Sequence, residues 1–142
     1  MQQSMFDKQN EGAGRVNDDR PAVMVSKCLA GVACRYHGQM SPPREDLLRR
    51  LRAKYRVILV CPEQLGGLPV PRPAARWRNG RLIAAGQDVT PQFELGAART
   101  LEQAQAEGVI KFYGLKQSPS CDRERGLAAQ LLQKHGIKVL NG

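Results

Sequence analysis

The chain has 142 residues, 42% of them hydrophobic, which is enough for one domain whose core needs no disulfide bonds. No apolar run reaches membrane-spanning length and the N-terminus lacks a signal pattern, so we expect a cytoplasmic protein with four reduced cysteines. The net charge is +9, and residues 22–142 carry nineteen basic against nine acidic residues, which is equally consistent with an anionic partner and with a solvated basic surface that has no partner.

The predicted elements begin after a tail. Residues 1–21 are polar and show no hydrophobic periodicity, which is typical of a disordered segment. Four short apolar runs predict buried strands at 22–27, 55–60, 109–115 and 137–140. Helical patterns separate them at 42–54, 91–107 and 125–135, with N-caps at Ser41 and Thr90 and glycine ends at Gly108 and Gly136.

This alternation predicts an α/β domain over residues 22–142. Strands separated by helices need right-handed crossovers, which produce a parallel sheet covered on both faces. The Asn79-Gly80 pair between two short extended pieces predicts an additional hairpin.

The stretch from Cys61 to Arg72 is the most informative part of the chain. Cys61 and Glu63 directly follow the second predicted strand, and a glycine pair and three prolines then impose a stiff, irregular path. Loops at the carboxyl ends of parallel strands are where open α/β sheets build their sites. A thiol and a carboxylate at this position therefore indicate a functional site.

Three cysteines follow three different predicted strands. Cys28, Cys61 and Cys121 should therefore meet at one edge of a parallel sheet. Three such thiols can ligate zinc or a four-iron cluster, and from the spacing alone these two cofactors remain near equal, with buried unreactive cysteines close behind. The paired C-x₂₋₄-C spacing of structural zinc sites is not evident.

Four motifs then carry a family resemblance, which runs from about residue 22 to the C-terminus. The chain resembles the TudS family of thiouracil desulfidases. The motifs are Ser26-Lys-Cys28-Leu-Ala-Gly31 with Arg35-Tyr36-His37-Gly38, Cys61-Pro-Glu63-Gln-Leu-Gly66-Gly67-Leu68 with Pro71-Arg72, Gly86-Gln-Asp88-Val-Thr90, and Ser118-Pro-Ser-Cys121.

The resemblance implies a Rossmann-like three-layer domain with a [4Fe–4S] cluster held by Cys28, Cys61 and Cys121. It implies that the remaining iron takes the sulfur of a thiolated pyrimidine base or nucleotide, and that the C–S bond is cleaved hydrolytically without net redox, with sulfide release. The family's catalytic glutamate and serine correspond to Glu63 and Ser118.

Each candidate residue also has a simpler interpretation. Glu63 is either an acid–base catalyst or a structural ion-pair partner, and Ser118 either orients the ring or stabilises a turn. The predicted substrate contacts have comparable alternatives as turn formers or solvated side chains. These predicted contacts are Arg35, Gly66, Gly67, Arg72 and Ser120.

The chain also departs from the family pattern. Asp122 stands where glycine is usual, Arg76 where an acid is common, and His37 where aspartate is common. The segment between Cys121 and the last helix is short, which leaves two alternatives: a site open to a larger substrate, such as a thiolated nucleotide or thiolated RNA, or an inactive relative. A zinc- or cluster-stabilised RNA-binding module remains a further alternative, and Cys34 has no assigned role.

Overall fold

The computed structural model describes residues 18–33, 35–39 and 42–142. These form one parallel sheet, its covering helices and a small antiparallel sheet. The elements in chain order are β1 (Ala22–Ser26), a 3-10 helix (Lys27–Ala30), α1 (Glu45–Lys54), β2 (Arg56–Val60), α2 (Pro62–Leu65), β3 (Arg76–Arg78), β4 (Arg81–Ala84), β5 (Gln87–Asp88), α3 (Thr90–Glu107), β6 (Val109–Gly114), α4 (Leu127–Lys134) and β7 (Lys138–Asn141).

The main sheet has the strand order β2-β1-β6-β7, and all its strand pairs are parallel. The α/β fold class is therefore confirmed. The central strand β1 is buried on both faces because its side chains alternate between two apolar layers. Ala22 and Met24 pack in the layer that contains α3 and α4 residues, whereas Val23 and Val25 pack against α1.

Helix α1 presents the leucines that its spacing predicts. Leu47, Leu48 and Leu51 are buried against β1, while the helix begins at Glu45, three residues later than predicted. The predicted N-cap Ser41 lies outside the described residues. Strand β2 also differs from the prediction of a fully buried strand: residues 56–59 are half-buried because β2 is an edge strand.

The hairpin prediction is confirmed by β3 and β4, which pair through Trp77 and Leu82. Asn79 and Gly80 both have positive φ, 50° and 78°, as the two central residues of a tight hairpin turn require. The third strand, β5, pairs with β4 and leads into α3. The small sheet thus connects the Cys61–Arg72 loop to the longest helix.

Helix α3 ends at Gly108 in the left-handed conformation, as predicted. Its start differs slightly, because Thr90 is the first helical residue and not the cap. The Asp88 carboxylate accepts the Thr90 N–H at 2.9 Å, and the Thr90 hydroxyl accepts the Leu82 N–H at 2.8 Å. The N-cap position is therefore Val89, and the Asp88 carboxylate, one residue earlier, accepts the first helical N–H.

Residues 18–21, which the sequence assigned to the tail, contact the domain. The Pro21 carbonyl accepts the Arg56 N–H at 3.0 Å, and the Arg20 guanidinium donates to the Arg52 carbonyl at 2.7 Å. The rest of the predicted tail lies outside the described residues. Across the described residues, no helix has the length and apolar character needed to cross a membrane.

Candidate active site

The structure brings the three predicted thiols into one cleft of about 410 Å³ at the carboxyl edge of the sheet. Cys28 lies in the 3-10 helix that follows β1, Cys61 follows β2 directly, and Cys121 lies in the loop after β6. All three cysteines are buried. Leu115 packs against Cys28 and Cys61 and forms part of the cleft wall.

Cys121 is held closely against the end of β6. A side chain at Gly114 would collide with the Cys121 carbonyl oxygen, so glycine is needed for this approach. Burial raises the pKa of the Cys121 thiol to about 12, although the Ser120 and Ser26 hydroxyls act in the opposite direction. A thiol in this environment gives up its proton only when a cation compensates the thiolate, as an iron or zinc centre does.

The arrangement of these donors bears on the choice between zinc and a cluster. A zinc ion needs thiolates that converge to about 2.3 Å from one point. Among the described residues, no group of three or more His, Cys, Asp or Glu side chains is arranged to hold a single metal ion. Three buried thiols that line one cleft are the donor set of a cluster with three cysteine ligands.

Glu63 lies beside these thiols and has a well-defined orientation. Pro62 occupies the first position of the one-turn helix α2, which places Glu63 in that first turn. Arg72 donates to Glu63 Oε1 through Nε at 3.0 Å and Nη2 at 2.6 Å, and Ser120 Oγ donates to Glu63 Oε2 at 2.9 Å. The side chains of Glu63 and Arg72 are 12% and 5% exposed, so this is a nearly buried ion pair.

Ser118 lies at the start of the loop that carries Cys121. Its hydroxyl oxygen accepts the N–H groups of Ser120 and Cys121 at 3.2 and 3.0 Å, which is the turn-stabilising role left open by the sequence. Its Oγ also lies 3.1 Å from Ser120 Oγ. Because the single Ser120 hydroxyl proton is donated to Glu63, Ser118 is the donor in this contact. The three side chains therefore form a hydrogen-bonded chain from Ser118 to Glu63.

The predicted substrate-binding residues divide into two groups. Arg35, Arg72 and Ser120 line the cleft, together with Arg76 and Lys116. Gly66 instead packs against α3, where a side chain would collide with the Gln92 carbonyl oxygen, and neither Gly66 nor Gly67 is part of the cleft wall. Among the described residues lining the cleft, four are basic and only Glu63 is acidic.

Asp122 organises the short loop after Cys121. Its carboxylate accepts the backbone N–H groups of Gln117, Glu124 and Arg125. Burial alone would raise the pKa of Asp122, but these three donors outweigh it and lower the pKa below its usual value. The aspartate that departs from the family pattern thus closes the shortened segment with its own hydrogen bonds.

Two features of the site were not predicted from the sequence. Ser26 contacts two of the thiols; the sequence placed it in the first motif and at the strand end two residues before Cys28, but predicted no role for it. Lys116 and Arg76 join the cleft wall only because the loop after β6 and the hairpin fold over the sheet edge. Cys34 lies outside the described residues.

Comparison with known proteins gives three findings. A family model described as 2-thiouracil desulfurase matches residues 23–142. The uncharacterized protein YbbK of Bacillus subtilis strain 168 is 30% identical over 144 residues, which cover 84% of this chain and 94% of YbbK. The solved structure of the [4Fe-4S]-dependent thiouracil desulfidase TudS matches with a TM-score of 0.79 and 33% identity, over 86% of this chain and 91% of the TudS chain.

Proposed function

We propose that this chain, which belongs to the 2-thiouracil desulfurase family, is a [4Fe–4S]-dependent desulfidase that removes sulfur from a thiolated pyrimidine. The observation that carries the proposal is the joint lining of one cleft by three buried cysteines and the Glu63–Arg72 pair. The cysteines come from three separate strand ends, and together they supply the three thiol ligands that a cluster with one open iron needs.

Cys28, Cys61 and Cys121 are the proposed cluster ligands. When bound, such a cluster supplies an iron without a cysteine ligand, which serves as a Lewis acid for the substrate's sulfur. In the overall reaction one water oxygen replaces the sulfur: a C–O bond forms, the C–S bond breaks, and sulfide leaves with the protons of water. No electrons are gained or lost in this balance, so no external reductant is required.

Glu63 is the proposed acid–base residue. Its Oε2 accepts from Ser120, and Arg72 holds its Oε1, so the carboxylate has a fixed orientation at the cleft wall. From this position it can take a proton from the attacking water and return one to the departing sulfur. Ser118 is proposed to orient the substrate ring by turning towards it the hydroxyl proton that Ser118 donates to Ser120 in this structure.

The charge of the cleft favours a substrate with an anionic group. Arg35, Arg76 and Lys116 line it in addition to Arg72, whose charge is compensated by Glu63. Guanidinium groups bind phosphate through paired hydrogen bonds. We therefore propose that a thiolated pyrimidine nucleotide is used more efficiently than the free base, which a comparison of kcat/KM for 4-thiouracil and its nucleotide will measure.

The test of the proposed function is the Glu63→Gln substitution in anaerobically reconstituted protein. We expect the cluster to be retained and sulfide release to fall by about 100-fold or more, the usual contribution of acid–base catalysis. Asp46→Asn is the matched control, because it also removes one carboxylate charge, from an exposed ion pair with Arg49 on α1.

Unchanged turnover of Glu63→Gln with a full cluster would contradict the catalytic assignment. Wild-type protein that holds a cluster but releases no sulfide from any thiolated pyrimidine would instead identify an inactive relative. Strongly salt-dependent RNA binding without sulfide release would favour the RNA-binding alternative.

A further inference from the structure

Ser26 lies at the floor of the cleft, in contact with two of the three cysteines. It is the last residue of β1, is 3% exposed, and pairs with Val60, the residue before Cys61. Its Oγ lies 3.2 Å from Cys28 Sγ and 3.7 Å from Cys121 Sγ. One buried hydroxyl therefore contacts two of the sulfurs and adjoins the strand that leads to the third.

The chemistry of a hydroxyl between two sulfurs changes when those sulfurs become ligands. A thiol can donate or accept a hydrogen bond, but a thiolate can only accept. Once Cys28 and Cys121 are deprotonated, the Ser26 hydroxyl must be the donor, and its single proton serves one sulfur at a time. Hydrogen bonds to ligand sulfurs raise the reduction potential of iron–sulfur clusters, and such outer partners also keep ligands in place.

We propose that Ser26 is a positioning residue that donates its hydroxyl proton to the thiolate of Cys28 or Cys121 and holds these two ligands together. The two cysteines are far apart in sequence, since Ser26 and Cys121 are separated by 95 positions. Ser26 thereby connects the end of the central strand to the loop after β6. The inference rests on the proposed function in one respect, that the cysteines hold an iron–sulfur cluster.

The experiment compares wild type with Ser26→Ala, both reconstituted without oxygen. Two properties are measured: the midpoint potential of the cluster, followed by its absorption and electron paramagnetic resonance, and the rate of iron loss to a ferrous chelator. Thr100→Val is the matched control, because it removes a fully buried hydroxyl that donates to the Gly96 carbonyl within α3. Urea unfolding of the metal-free proteins reports any general loss of stability.

We expect Ser26→Ala to have a more negative midpoint potential, because a donor that stabilises the reduced cluster is gone. Iron loss should be about 10-fold faster, as is usual when a partner of a metal ligand is removed. Thr100→Val should keep the wild-type potential. If Ser26→Ala unfolds like wild type in the metal-free state and yet holds no cluster, Ser26 is required for the cysteines to bind the cluster, which also supports the positioning role.

A full cluster in Ser26→Ala with the wild-type potential and the wild-type rate of iron loss would overturn the inference. This failure is distinct from failure of the proposed function. The latter appears in the wild-type protein itself, which would then hold no iron–sulfur cluster or release no sulfide.

Discussion

At the scale of single residues, the buried pair between Glu63 and Arg72 determines how the cleft presents its carboxylate. Arg72 contributes two donors to the same oxygen, and Ser120 fixes the other oxygen. Removing one partner of such a pair leaves an uncompensated charge in a poorly solvated place. The pair should therefore affect stability as well as catalysis.

Replacement of Arg72 by methionine tests this role. We expect the free energy of unfolding of the metal-free protein to fall by about 3–5 kcal/mol, the usual cost of an orphaned buried charge. Urea unfolding measures this free energy. The double variant Glu63→Gln/Arg72→Met should lose less free energy of unfolding than the two single variants lose in sum, because it leaves neither charge without its partner.

Arg81→Met is the control for this measurement. Arg81 pairs with Asp88, and the two side chains are 50% and 40% exposed, so solvent screens this pair and its loss should lower the free energy of unfolding much less than the loss of Arg72. If Arg72→Met lowers the free energy of unfolding no more than Arg81→Met does, the Glu63–Arg72 pair behaves like an exposed surface pair and the expectation is wrong.

The sequence predicted which residues line the cleft better than it predicted the hydrogen bonds between them. Cys28, Cys61 and Cys121 follow strand patterns, so their convergence followed from sheet geometry alone. The Ser120–Glu63 bond joins residues 57 positions apart and depends on how two loops cross, which no local pattern encodes.

At the scale of elements, the contact between α2 and α3 positions Glu63. Gly66 approaches the Gln92 carbonyl, and Gly96 approaches the Pro62 carbonyl, so the two backbones meet where no side chain fits. Helix α2 was not predicted, because a single turn between a cysteine and a glycine pair has no helical periodicity. Its position depends on α3, an element that the sequence did predict.

The Gly96→Ala substitution separates this packing from helix propensity. On propensity alone, alanine would stabilise α3 by about 1 kcal/mol. Because its methyl group would meet the Pro62 carbonyl oxygen, we expect instead a loss of about 1–3 kcal/mol and reduced sulfide release through displacement of Glu63. Urea unfolding decides the sign, and a stabilised variant would contradict the described contact.

Asp88 links the small sheet to the start of α3 and makes stability depend on acid pH. Hydrogen bonds from Thr90, and then the contact with Arg81, lower the pKa of Asp88 from 3.8 to about 2. The folded-state pKa lies below the unfolded value, so this contribution is fully present above pH 3.8 and is lost as the pH falls towards about 2.

We therefore expect Asp88→Asn to lose less stability than wild type between about pH 4 and pH 2, since the wild type must protonate a favourably placed carboxylate. Urea unfolding of the metal-free proteins at several pH values measures this. Parallel curves for the two proteins would contradict the role of Asp88 at the start of α3.

At the scale of the whole molecule, the strand order explains why one edge of the sheet collects the chemistry. With β1 central between β2 and β6, the segments after these three strands meet over a single cleft. The parallel sheet was predictable from the alternation of apolar runs and helical patterns, whereas the order β2-β1-β6-β7 depends on long-range pairing that one sequence does not reveal. The shortened loop after Cys121 was visible in the sequence, but its closure by Asp122 was not.

The measurement that tests the central claim most directly is the iron, acid-labile sulfide and zinc content of protein purified without oxygen, together with its absorption spectrum. The proposal that Cys28, Cys61 and Cys121 hold a four-iron cluster predicts a brown protein with about four irons and four sulfides per chain. Replacing any of the three by serine should remove most of that content. A colourless protein that cannot be reconstituted with iron and sulfide, whether or not it contains zinc, would contradict the account.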